Sequence, residues 1–132
     1  MSSCFSVYWL LSTSYLNYMP QILNAGNKIL FDDARMADSR LKRLIGLMFR
    51  KSIPDNQALI FYRAGEIHTF FMLMPIDIIF LDKSMEVIKL RENVPPMRIV
   101  FCRKSFYTIE CAAGLSAAKG IKEGDTLIIK NG

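Results

Sequence analysis

The run IHTFFMLMPIDIIFLD, Ile67–Asp82, constrains the fold more than any other stretch of the chain. It is almost wholly apolar, yet it holds the only histidine, His68, and a carboxylate, Asp77, well inside it. It reads as two strands, Ile67–Met72 and Ile76–Leu81, joined at the Met74–Pro75 bend. Side chains alternate across a strand, so Asp77 shares a face with Ile79 and Leu81, while Ile76, Ile78 and Phe80 take the other. Apolar neighbours on both faces predict a strand in the middle of a sheet and a partly buried carboxylate. A buried charge without partners is costly, so Asp77 must find donors, a cation or a proton.

The remaining elements are short and punctuated by turn residues. Asn24–Gly26–Asn27 is turn chemistry, and Lys28–Arg35 reads as a strand. Asp38 or Ser39 caps a principal helix of about residues 39–49, whose stripe is Leu41, Leu44, Ile45 and Met48. Pro54–Asp55–Asn56 ends that unit, and Ala58–Arg63 is the next strand. Asp82–Lys83–Ser84 lies between IDIIFL and MEVIKL and predicts an antiparallel hairpin. Asn93–Val94–Pro95–Pro96 interrupts pairing because proline has no amide donor. Phe106–Cys111 alternates again, a short second helix spans about residues 113–119, and Gly120 closes it. Thr126–Lys130 is the last strand. The predicted class is α+β and β-dominated, a small antiparallel sheet or barrel-like domain carrying one principal and one short helix.

At 132 residues the chain has the length of one domain, enough for a core without disulfides or metal. Residues 27–132 are read as that domain. Residues 1–26 are an uncharged extension, since no charged side chain precedes Lys28. Its apolar run Cys4–Leu11 is too short to span a bilayer, and a secretory signal would carry a basic residue ahead of it. Three readings stand: a start at Met19 with a mis-assigned leader, a degenerate signal or interfacial anchor, or a disordered tail; the first is preferred. Cys4, Cys102 and Cys111 form no metal-binding spacing and cannot all pair, which favours a reducing compartment. The expected location is cytoplasmic, with an envelope-associated or secreted protein as the alternative if the leader is genuine. The net charge of +5 comes from scattered basic residues, clustered only at Arg40–Lys42–Arg43, Arg50–Lys51 and Arg103–Lys104. No nucleic-acid motif accompanies them, so a solubilising excess is the simpler reading.

In order along the chain, RLKRLIGLMFR (40–50), ALIF (58–61), IHTFFMLMPIDIIFLD (67–82), NVPPMRIV (93–100), YTIECAAG (107–114) and GIKEGDTL (120–127) resemble an uncharacterised family called domain of unknown function 192. The resemblance runs from about Lys28 to the C-terminus and is most specific in the central motif. It implies a small β-rich single domain and transfers no catalytic residues, because the family's activity is not settled. Met97 stands where the family motif tends to have tryptophan after the prolines, which would soften the wall of any pocket there.

The candidate chemistry is sparse. His68 oriented by Asp77 is an acid–base arrangement; the simpler alternative has Asp77 accepting backbone amides at the Met74–Pro75 bend or pairing with Arg43 or Arg63. Thr69 is a candidate for holding a substrate hydroxyl, although threonine is ordinary strand material. Cys102 precedes Arg103–Lys104, a cationic setting for a thiol. Glu110 is either an exposed rim residue or a carboxylate facing the cavity of Asp77. Met74 and Met97 are candidates for the lip of an apolar groove. No phosphate-binding, GxSxG or HExxH signature occurs, and neither a metal site nor a cofactor is expected. Whether the chain is an enzyme is left open. The leading expectation is a binding or accessory module with an apolar groove near His68, Met74 and Met97, taking a peptide, a small apolar ligand or a protein partner. The alternative is a small hydrolase or isomerase using His68 and Asp77. Nucleic acid is not an expected partner, and membrane contact is expected only through residues 4–19.

Overall fold

A computed structural model describes residues 20–37 and 46–131. Among these described residues, ten strands and one short helix follow in order. They are β1 (Pro20–Asn24), β2 (Ile29–Phe31), β3 (Asp33–Ala37), β4 (Gln57–Tyr62), β5 (Glu66–His68), β6 (Ile76–Leu81), β7 (Val87–Val94), β8 (Ile99–Phe101), β9 (Tyr107–Ala112), α1 (Leu115–Ala118) and β10 (Leu127–Asn131). The central sheet has the order β3-β4-β9-β6-β7; a second sheet runs β10-β1-β2, and β5 pairs with β8 alone. The α+β, β-dominated class therefore holds. Its barrel-like variant does not, because the strands of the described residues form three separate sheets. The central sheet is also mixed, since β3 lies parallel to β4.

Two cores flank the central sheet. On one face Ile79 and Leu81 of β6, Ile109 of β9 and Ile60 of β4 pack with Ile22, Phe31 and Leu127 of the three-stranded sheet. On the other face Ile76, Ile78 and Phe80 of β6 pack with Phe61, Leu47, Ile53, Ile67 and Met72. Every residue of β6 is buried. This is the expected central strand, and its continuous apolar run follows from being covered on both sides. The β6–β7 hairpin also forms, with Asp82 Oδ1 accepting the amides of Ser84 and Glu86 at its turn.

Several boundaries differ from the sequence reading. Lys28–Arg35 is two strands rather than one: β2 joins the small sheet, and β3 joins the central one. The strand expected over Ile67–Met72 stops at His68, because Thr69 turns its carbonyl to the amides of Met72 and Met97. Pairing persists through Val94 before the prolines end it. The short helix has only four residues, Leu115–Ala118, and Gly120 closes it with φ of 70°. Residues 39–45 of the expected principal helix lie outside the described residues. Residues 46–49 form a turn in which Phe49 has φ of 63°. Within the stretch read as an extension, Pro20–Asn24 sits between β10 and β2 as a paired strand. The uncharged run 1–19 lies outside the described residues.

Candidate functional site

Asp77 meets its desolvation entirely through donors from its own fold. The Asn93 amide donates to Oδ1 at 2.8 Å. The amides of Gly114 and Ser116 donate to Oδ2 at 3.1 and 3.0 Å, and the Ser116 hydroxyl donates to the same oxygen at 2.6 Å. The carboxylate thus ties β6 to the end of β7 and to the start of α1. Ser116 is fully buried for the same reason.

The acid–base pair expected of His68 and Asp77 is not assembled. Asp77 faces the core shared with the three-stranded sheet, along with Ile79 and Leu81. His68 belongs to β5, pairs with Ile99, and follows Ile67, which packs in the opposite core. The simpler alternative, backbone amides, describes Asp77, although the donors are not at the Met74–Pro75 bend. Nor is Arg63 a partner: its guanidinium lies over the Tyr62 and Phe106 rings, and Arg43 lies outside the described residues. His68 is half-buried, stacks on Phe70 with centroids 5.3 Å apart, and leaves Nδ1 buried without a partner.

Glu110 corrects both sequence readings. Register pairs Asp77 with Cys111 and Ile78 with Glu110, and opposed residues project to the same face. Glu110 therefore points away from Asp77, between Ile78 and Leu59 of β4. It is only 2% exposed, so it is no rim residue, and its Oε2 has no hydrogen-bond partner. Desolvation pushes its carboxyl up to about 8. Gln57, two residues before Leu59 on β4, is also buried there; its amide nitrogen donates to Asp33 while Oε1 goes unpartnered.

Thr69 is fully buried, and its hydroxyl is spent on the proline loop. Oγ1 donates to the Pro95 carbonyl at 2.7 Å and accepts the Arg98 amide at 2.9 Å. Thr69→Val is expected to cost roughly 1–3 kcal/mol, because it strands two backbone groups. Urea denaturation reads that loss, and faster amide hydrogen exchange at Met97 and Arg98 locates it. A variant of unchanged stability would contradict this role.

Cys111 packs in the first core. Burial, and then the charge of Asp77, push its thiol up and keep it protonated, and it lies on the face away from His68. Cys102 is a half-buried free thiol whose amide donates to the Gly65 carbonyl. A Cβ on Gly65 would come within 2.9 Å of the Cys102 carbonyl oxygen, so only glycine permits this approach. Met74 is half-buried against the second core, whereas Met97 is 61% exposed. Among the described residues, no group of three or more His, Cys, Asp or Glu side chains is placed to hold a metal ion.

Sequence reasoning missed an exposed apolar strip running past His68. Phe101 and Ile99 alternate outward on β8, opposite Glu66 and His68. Met97 follows, its amide bonded to the Thr69 carbonyl. Exposed Phe71 and Leu73 come next, and Phe71 contacts exposed Phe49 at 5.9 Å between centroids. Phe49, Phe71 and Met97 all have positive φ, from 61° to 66°, which bulky L-residues rarely adopt. The signal in sequence was the apolar IVF and FFML next to turns, where side chains have no interior to enter.

These features define a small mixed-sheet domain with a buried carboxylate clamp and an exposed apolar face. The family model of domain of unknown function 192, described as "Uncharacterized ACR", matches residues 21–129, and the chain belongs to that family. A UPF0127 protein of Pyrococcus horikoshii is 37% identical over 102 residues, covering 72% of this chain and 85% of its own. One from Thermococcus kodakarensis is 37% identical over 100 residues, and the chain spans 62% of its length. In fold the chain is similar to a protein of unknown function from Novosphingobium aromaticivorans. The TM-score is 0.72 at 24% identity, over 83% of this chain and 82% of that one. No activity is established for the family members matched. No helix of the described residues is long and apolar enough to cross a membrane.

Proposed function

We propose that the protein is a non-catalytic binding module whose working surface is the apolar strip beside His68. The observation that carries this reading is the coincidence of exposure and backbone strain at Phe49, Phe71 and Met97. Folding gains nothing from placing bulky apolar side chains in water on left-handed backbone, at a cost on the order of 1–2 kcal/mol each. A partner that covers them supplies the missing reason. The groove expected near His68, Met74 and Met97 is better described as a face: Met74 belongs to the core, and Met97 and Phe71 stand on turns. The alternative enzyme loses its orienting carboxylate, since Asp77 is occupied elsewhere.

Met97→Gly provides the test. Glycine tolerates positive φ, so the variant is expected to be at least as stable as the parent, by up to ~1 kcal/mol. Its binding of the apolar fluorophore anilinonaphthalene sulfonate should fall at the same time. Destabilisation together with unchanged dye binding would show that Met97 serves the fold and would remove this reading.

A further inference from the structure

The charges around the strip point to what covers it. Phe49 is followed by Arg50 and exposed Lys51, Met97 by exposed Arg98, and Phe101 is two and three residues from exposed Arg103 and Lys104. Among the described residues the one ion pair is Arg35 with Asp33, so Lys51, Arg98, Arg103 and Lys104 face solvent uncompensated. Lys89 reaches the Phe101 carbonyl from β7 and adds a further cation at that end. The acid on the outer face of the β5–β8 pair is Glu66, opposite Phe101.

We infer that this face docks peripherally on an anionic lipid bilayer, with Phe49, Phe71 and Met97 as inserting tips and the flanking cations in the headgroup layer. The inference rests on the reading of the strip as the binding surface and names its partner. Three arguments favour lipid over an acidic protein. The apolar side chains are carried on separate turns, at residues 46–49, 70–71 and 96–97, so they project as tips rather than line a hollow. Such side chains need enter only the headgroup–acyl boundary, roughly 5–10 Å deep. The cations Lys51, Arg98, Arg103 and Lys104 lie on flexible stems beside them, with no acidic partner among the described residues, which suits a diffuse field of headgroups. The whole chain carries +5, so its far field also draws it toward such a surface. This contact is independent of residues 4–19, through which the sequence reading placed any membrane association.

Flotation of the full chain with vesicles tests it, comparing phosphatidylcholine alone with phosphatidylcholine containing about a third phosphatidylserine. Binding is expected on the anionic vesicles only, and it should weaken as salt is raised from about 0.1 to 0.5 M. Each Lys or Arg near an anionic leaflet contributes about fivefold, so Arg103→Gln with Lys104→Gln should reduce partitioning by roughly tenfold or more. Phe71→Ser with Met97→Ser should abolish it while circular dichroism and urea midpoints report an intact fold. Equal binding to both vesicle types, or undiminished binding by the Phe71/Met97 variant, overturns the inference. Vesicles that fail to bind while the dye still reports Met97 would overturn the lipid assignment alone. An acidic protein partner captured on the same face would do likewise, and the face would stand as the binding surface.

Discussion

Asp77→Ala is expected to unfold the protein or leave it marginal, with a loss on the order of 3–5 kcal/mol. The substitution removes the acceptor of the Asn93, Gly114 and Ser116 amides and of the Ser116 hydroxyl. Asn93 at the end of β7, and Gly114 and Ser116 at the start of α1, lose their shared acceptor at a fully buried position. Domains of this size hold only ~5–15 kcal/mol in all, so the loss should be visible as a collapse of the urea midpoint. Asp77→Asn separates charge from shape. It keeps the volume but presents an amide group to donors that need acceptors, so it should recover little. Ser116→Ala removes one of the four donors and should cost about 1–2 kcal/mol. If Asp77→Ala folds normally and merely loses a function, the clamp is not structural and the acid–base reading of Asp77 returns.

Glu110 sets the second large effect, which appears as a dependence on pH. Its carboxyl is raised by desolvation from 4.5 to about 8. Below the unfolded value both states hold the proton, and its contribution to stability is at its maximum. Between the two values the unfolded chain ionises while the folded one does not, so stability falls as pH rises. The loss is complete once pH passes the folded value near 8. At ~1.4 kcal/mol per tenfold change, it is on the order of 5 kcal/mol across that window. Urea denaturation at pH 5, 7 and 9 should show a steady decline for the wild type. Glu110→Gln should flatten the curve and leave the variant more stable than the wild type at pH 9. A flat wild-type curve would mean that the carboxyl meets a donor or water that stabilises its charge.

How far the fold was legible follows from what each residue can report. Alternation along IDIIFL tells which of its residues share a face: Ile79 and Leu81 pack in one core, and Asp77 lies opposite Cys111 of that same core. Asp82 followed by Lys83 and Ser84 marked the β6–β7 turn, because a short carboxylate can accept amides two and four residues ahead. The same reasoning could not place Glu110. Alternation within β9 gives two faces, but only pairing with Ile78 and Leu59 decides which core each face enters. The single strand read over Lys28–Arg35 also failed at Asp32, since a chain that changes sheets keeps its strand-like composition. Thr69 looked like strand material or a substrate ligand, whereas its hydroxyl is taken by backbone atoms 26 and 29 residues away.

Local chemistry alone therefore determined most of the elements: short apolar segments, their turn residues, and a central strand greasy on both sides. These depend on side-chain volume, alternation and proline or glycine geometry, which act between near neighbours in the chain. Contacts distant in sequence decided the rest. They gave Asp77 its amides, left Glu110 Oε2 without a donor, separated His68 from the carboxylate beside it in the motif, and raised Phe71 and Met97 on turns into water. Each of those outcomes is a matter of which strand lies next to which, and a single side chain carries no record of that.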